Sequence, residues 1–299
     1  MPVLEIKDLV KSFGDKQVLK GLSLTVPEKS IFGFIGQNGT GKTTTMKTVL
    51  GLLRADSGEI TVAGEKVVYG NTPTNRHIGY LPDVPEFYPF MTAGEYLAFC
   101  GEISGMDRGE IRSRSEELLE AVGLAGEKHR IKGYSRGMRQ RLGIAQALLG
   151  RPRLLICDEP TSALDPVGRK EILDILVRVR EETTVLFSTH ILSDVERICT
   201  DVAFLREGVI SLGGSLSEIR RSYRSDIYIL EPEGSEAAAA LKAAFPMLTD
   251  TGSGSFTFRD TELSPFEVMS FAAERKLPLI KLERSEPTLE DLFMEVVGQ

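Results

Sequence analysis

One stretch of nine residues constrains this chain more than any other. Gly36-Gln37-Asn38-Gly39-Thr40-Gly41-Lys42-Thr43-Thr44 fits G-x-x-x-x-G-K-[ST]. It follows an apolar strand pattern at 30–35 and opens a helical pattern that runs to about Leu53. The glycines let the backbone curl until successive N–H groups face one anion, and the new helix adds its positive end. Lys42 would then reach the β- and γ-phosphates as a point charge, and the Thr43 hydroxyl would ligate Mg²⁺. Asn38, Gly39, Thr40, Gly41 and Thr44 complete the candidate cradle. The plainer reading is a glycine-rich turn before a helix, but the preceding strand favours phosphate.

A carboxylate pair supplies the next part. Residues 154–159 read Leu-Leu-Ile-Cys-Asp-Glu, four apolar residues and then two acids. Open α/β sheets bind ligands at the carboxyl ends of their strands. Adjacent carboxylates point in different directions and can divide labour. Asp158 suits a metal shell, directly or through water. Glu159 suits polarising a water in line with the γ-phosphate. Alone, the pair is more often an ordinary acidic strand end; behind a phosphate loop the functional reading gains.

The remaining pattern predicts a mostly parallel, doubly wound sheet. Residues 1–30 and 54–80 alternate as short antiparallel strands, with Gly58, Gly64 and Gly70 at the turns of the second stretch. Helical patterns cover 92–123, 135–149, 166–181 and a segment near 191–199; strands fall at 183–188 and near 202–212. Composition shifts after Leu216, and the charged stretch 220–226 reads as a linker. Beyond it, strands at 226–230, 255–259 and 279–284 alternate with helices at 235–244, 264–275 and 288–297. Thr288 and Asp291 suggest a capping box for the last helix. The expected organisation is a first domain over 1–216 and a small accessory α/β domain over 217–299.

Composition narrows the classes. With 36 basic and 43 acidic side chains the net charge is −7, which argues against nucleic acid as the main partner. No run of 18 apolar residues could span a bilayer, and the first residues lack a signal-peptide pattern. Cys100, Cys157 and Cys199 are scattered, as suits a reducing cytosol.

Three further segments add up to a family likeness. Tyr134-Ser135-Arg136-Gly137-Met138-Arg139-Gln140-Arg141 resembles the signature motif of ATP-binding cassette (ABC) proteins, Ser162-Ala163-Leu164-Asp165 their D-loop, and His190 their switch histidine. The resemblance covers residues 1 to about 216. It implies a P-loop NTPase core with an antiparallel β subdomain and a helical subdomain. It also implies hydrolysis of ATP with Mg²⁺, by an ATPase that works as a dimer. By the same resemblance Phe13 stacks on adenine, and Val18 packs on the same base. Ser135 and Gly137 would grip the γ-phosphate of ATP bound by a second copy or a paralogous ATPase, while His190 holds it from the first copy. Phe13 could instead be a core residue, and a lone histidine such as His190 is more often packed or merely exposed.

Two positions depart from the family pattern. The signature carries Arg136 and Met138 where Gly and Gln are usual, and Tyr80-Leu81-Pro82-Asp83 resembles the Q-loop with Asp83 in place of Gln. An Asp is a methylene shorter, so its metal contact would run through water; otherwise Asp83 is a turn residue after Pro82. The aromatic residues Phe87, Tyr88 and Phe90, with Met91, could dock a membrane subunit or form the helical core. With no span of its own, a transporter engine of this kind would work peripherally on the cytoplasmic face of the membrane, beside a separate transmembrane permease. The segment 288–293 and the signature resemble the stand-alone ATPases of multicomponent exporters. The competing readings are a non-transport ABC ATPase and an ATP-binding regulatory module with little turnover.

Overall fold

The computed structural model describes residues 2–70, 73–222, 226–252, 254–285 and 289–290. Alternating burial builds its first hairpin. Strand β1 (Pro2–Phe13) sends Leu4, Ile6 and Leu9 inward and pairs antiparallel with β2 (Lys16–Pro27). Strand β3 (Ile31–Ile35) is buried throughout, and helix α1 (Lys42–Val49) follows the glycine loop. β4 (Ser57–Val62) returns to β1, and β5 (Glu65–Lys66) to β4, giving a sheet of order β2-β1-β4-β5. Gly58 marks no turn. It lies within β4 at φ +97°, where a Cβ would fall 2.6 Å from the Asp8 carbonyl, opposite a shift in the register of β1.

The next elements are β6 (Ile78–Leu81), α2 (Ala93–Ile103), α3 (Arg108–Ala121), α4 (Arg136–Leu148), β7 (Leu154–Asp158) and α5 (Pro166–Val179). The helical pattern at 92–123 is thus two helices, broken at Gly105, whose φ of +74° reverses the chain, and restarted by the Asp107 N-cap. Then come β8 (Thr184–Thr189), α6 (Leu192–Ile198), β9 (Asp201–Arg206), β10 (Val209–Ser215) and α7 (Leu216–Ser222). Helix α1 stops short of the expected Leu53, and α7 occupies the first part of the expected linker, as far as Ser222.

The central sheet runs β10-β9-β3-β8-β7-β6. The pairs from β9 to β6 are parallel, and β10 joins antiparallel. β3, β7 and β8 are buried along their whole lengths, as parallel strands covered on both faces must be. Phe34, Met46, Ile156 and Leu186 join the same core as the hairpin residues Leu4 and Leu22. Each such side chain contributes about 1.5–3 kcal/mol on leaving water. Four adjacent parallel strands, β3, β8, β7 and β6, therefore end side by side. Their exits carry the glycine loop, His190, the Asp158–Glu159 pair and Asp83.

Contacts divide the chain into two units, the first running to Ser217 and the second beginning at Glu218. The second unit contains β11 (Ile227–Pro232), α8 (Ser235–Ala244), β12 (Thr249–Asp250), β13 (Phe256–Arg259), α9 (Pro265–Arg275) and β14 (Leu279–Arg284). Its sheet is antiparallel, in the order β12-β13-β11-β14, a β-α-β-β-α-β arrangement in which the first strand lies centrally. The short β12 has no counterpart in the sequence pattern. Leu230, Leu241, Phe256, Phe258 and Val268 form this unit's own core. The expected cap at Thr288 and Asp291, and most of the expected helix 288–297, lie outside the described residues.

Candidate nucleotide site

The glycine loop is shaped for close approach. Gly41 precedes α1 at φ +115°, and a Cβ there would sit 2.7 Å from Leu19. No side chain caps the N-terminus of α1, and no acid lies in its first turn. Its leading N–H groups are thus left to an anion. Lys42 is buried, and its ammonium donates to the carbonyls of Gly36 at 2.6 Å and Gln37 at 3.3 Å. Glu159 Oε1 lies 3.1 Å from the same Nζ, off a hydrogen-bonding direction, so charge holds it there.

The carboxylate pair is wired to its neighbours. Thr43 donates to Asp158 Oδ2 at 2.7 Å, and Ser188 donates to Asp158 Oδ1 at 2.6 Å. The same Ser188 oxygen accepts from the Glu159 backbone N–H at 3.0 Å. Glu159 adopts φ +49°, a left-handed conformation that costs a non-glycine residue about 1–2 kcal/mol. The kink turns the two carboxylates apart. Glu159 Oε2 meets His190 Nδ1 at 2.9 Å. Lys42, Glu159 and His190 thus form one line, and Thr43, Asp158 and Ser188 a second beside it.

Lys42, Thr43, Asp158 and Glu159 border a cavity of about 480 Å³, within the range of small-molecule sites, and His190 and Ser188 lie outside its lining. Phe13, Val18, Asn38, Gly39, Gly41, Lys42, Thr43, Thr44, Asp83, Asp158 and Glu159 line it. Phe13 is 49% exposed, which is not the state of a core residue, and the Lys11 ammonium stands 5.3 Å from its ring centre. Thr40 does not line the cavity; its hydroxyl donates to the Gln37 carbonyl at 2.8 Å and braces the loop. Among the described residues no cluster of three His, Cys, Asp or Glu side chains could hold a metal. A cation beside Thr43 and Asp158 must draw its remaining ligands from phosphate and water, and hard oxygens of that kind fit Mg²⁺.

The chain is similar to known families and proteins. The model of the ABC transporter family matches residues 19–162, and that of the DrrA1-3-like ATP-binding protein C-terminal domain matches 214–297. The uncharacterized ABC transporter ATP-binding protein YxlF of Bacillus subtilis is 38% identical over 305 residues, covering 99% of each chain. The chain belongs to the ATP-binding proteins of ABC transporters. It is similar also to the bacitracin transport ATP-binding protein BcrA of Bacillus licheniformis, at 32% identity over 99% of this chain and 97% of that one. A solved ATP-binding subunit of an ABC transporter, 32% identical, superposes with a TM-score of 0.65 over 74% of this chain and 93% of that chain. This ABC protein is an ATPase.

The signature residues of this ABC ATPase are not among those that line the cavity. Ser135 caps α4, its hydroxyl accepting from the Met138 N–H at 3.2 Å. A Cβ at Gly137 would meet nothing closer than Leu164, 4.0 Å away. The aromatic segment divides its roles. Phe87 packs edge-on against the buried Tyr96 at 5.0 Å, whereas Tyr88 and Phe90 are exposed. Sequence reasoning missed three residues. Ser188 braces the Asp158 carboxylate and the Glu159 backbone, and its only trace was a hydroxyl ending an apolar strand. Tyr80 has its phenol pushed up to about 12 by burial, Asp158 and further negative neighbours, and so stays neutral. Asp194 is buried and binds Thr161 and Arg169, each at 2.7 Å, tying the residues on either side of the D-loop to α6.

Proposed function

We propose that this ATPase subunit drives an exporter through a separate transmembrane permease, working as an ATP-bridged dimer on the cytoplasmic face of the membrane. One observation carries the hydrolytic part: Lys42, Glu159 and His190 stand in line beside Thr43 and Asp158 at the ends of neighbouring strands. Lys42 and the N-terminus of α1 hold the β- and γ-phosphates. Glu159 accepts a proton from an attacking water, and His190, already on Glu159, keeps that carboxylate oriented and reaches the γ-phosphate. Thr43 and Asp158 would hold Mg²⁺, and Asp83 lines the same cavity. When bound, the metal neutralises charge on the β- and γ-oxygens. Phe13 and Val18 receive the adenine, a contact of about 1–3 kcal/mol.

The pocket is half of a whole. Ser135 and Gly137 complete the site of a second copy or a paralogous ATPase, so hydrolysis releases the grip between copies. The exposed Tyr88 and Phe90, near Asp83, offer an apolar surface to the permease. No helix among the described residues is long and apolar enough to cross a membrane, which suits a separate pore. Residues 1–216 form the motor, and 217–299 serve as an accessory domain. The export reading draws on the antibiotic named for the relative BcrA. Phosphate release by the purified protein tests the motor, and co-purification of a polytopic membrane protein from its native host tests the transporter role. An active enzyme that never brings such a protein down refutes the transporter role.

A further inference from the structure

The two departures from the family pattern touch each other. Arg136 Nη2 donates to Asp83 Oδ1 at 3.2 Å, with side chains 42% and 47% exposed. Two further grips lie on the same face of α4. The buried Gln140 donates through Nε2 to the Asp83 carbonyl at 2.7 Å, and Gly143 leaves room for Leu81, which a Cβ would overlap, with Pro85 3.4 Å away. Positions 136, 140 and 143 recur at helical spacing, so one stripe of α4 holds the whole turn after β6. Each charge alone is misplaced. An arginine in the first turn of a helix opposes the dipole, and this turn contains no acid. Asp83 adds another carboxylate to a cavity that already holds Asp158 and Glu159. Paired, each offsets the other.

We propose that Arg136 is a positioning residue that competes with the divalent cation for the Asp83 carboxylate, and thereby links metal binding in one copy to the state of its own signature helix. The proposal rests on the ATPase reading above. Asp158 has both oxygens engaged, by Thr43 and Ser188, whereas Asp83 Oδ1 is held by an arginine half open to water. Such a pair is weak enough to exchange. While Arg136 holds Asp83 Oδ1, that oxygen is withheld from the cation. Once the cation draws Asp83 away, Arg136 is released between Ser135 and Gly137, where a positive charge favours a phosphate from the partner copy.

The test reads binding, not turnover. ATP affinity is measured by equilibrium dialysis with and without Mg²⁺, in a Glu159→Gln background that prevents hydrolysis and at protein concentrations low enough to keep the copies apart. The ratio of the two affinities reports how much the metal tightens the nucleotide. Arg136→Gln is expected to raise that ratio about two- to fivefold, the range open to an exposed ion pair. With Asp83→Asn already present, Arg136→Gln should leave the ratio unchanged. A shift of equal size in both backgrounds, or none in either, overturns the proposal. If the Glu159→Gln protein binds no ATP in Mg²⁺, the ATPase reading itself falls and takes this proposal with it.

Discussion

Two faces of the first unit meet nucleotide in the proposed cycle, and they are finished to different degrees. The phosphate-loop face is closed on itself: Lys42, Thr43, Asp158, Glu159, Ser188 and His190 are joined to one another by hydrogen bonds and one ion pair of 2.6–3.1 Å. The signature face is open. Ser135 makes a capping bond within its own helix, Gly137 borders almost nothing, and Arg136 is half exposed. Preorganised groups hold their geometry before ligand arrives and need no rearrangement at the moment of reaction. The contrast fits a division in which one face binds nucleotide alone and the other acts only across a dimer.

Substitutions on the two faces should separate accordingly. Lys42→Ala removes a buried ammonium with charge-assisted contacts, and ATP affinity should fall about 100-fold or more by equilibrium binding. Retained affinity would break the closed-face picture outright. Glu159→Gln keeps the shape but removes the base. Phosphate release should drop about 10²–10⁴-fold, and MgATP should make the protein run as a dimer in size-exclusion chromatography. A Glu159→Gln protein that stays monomeric at saturating MgATP would mean that the signature face has no mate. Ser135→Ala should lower turnover about tenfold or more while leaving ATP affinity of the monomer within about twofold. Equal losses in both would place Ser135 in its own chain's pocket.

The difference between the faces also explains what the sequence could reveal. The closed face is local in sequence: a loop between strand and helix, and two acids ending an apolar strand. Spacing alone therefore places Lys42, Thr43, Asp158 and Glu159. The braces come from elsewhere in the chain. Ser188 meets Asp158 because β8 inserts between β3 and β7, a neighbour relation that periodicity does not encode. The Asp83–Arg136 contact spans 53 positions, and each residue alone looked like an irregularity. In the second unit the long elements were legible from alternation. The two-residue β12 was not, because a strand that short carries no period. Helix α7 hides in a charged stretch, where polar composition resembles a linker although Leu216 and Ile219 are buried.

A brace of the closed face offers a stability test. Asp194 is buried, and its carboxylate accepts from Thr161 and from Arg169. Removing it leaves both donors without that partner and part of a cation uncompensated. Asp194→Ala should cost about 3 kcal/mol in chemical denaturation, with a slower turnover because the residues on either side of the D-loop and the segment after His190 lose their tie. An unchanged denaturation midpoint would show that the tie contributes nothing to the closed face.

The smallest effect belongs to the helical region that carries the signature. Helix α2 opens with a reciprocal cap: the Thr92 hydroxyl accepts from the Glu95 N–H at 3.3 Å, and Glu95 Oε2 accepts from the Thr92 N–H at 2.8 Å. The Thr92 backbone N–H foremost, and then the Thr92 hydroxyl, which donates to the same oxygen at 3.0 Å, hold the Glu95 carboxyl below its usual value. A lowered folded value means that the cap stabilises above the unfolded pKa and loses that contribution as pH falls through the folded one. Glu95→Gln cannot titrate. The wild type should therefore lose more of its melting temperature than Glu95→Gln as pH falls from neutral through the usual carboxylate range and below it. Parallel melting curves would show that the cap does not feel its proton. Hydrogen exchange at the first turn of α2, followed over the same range, would locate the change in the helical region and leave the amides of β3 and β7 behind the phosphate loop unaffected.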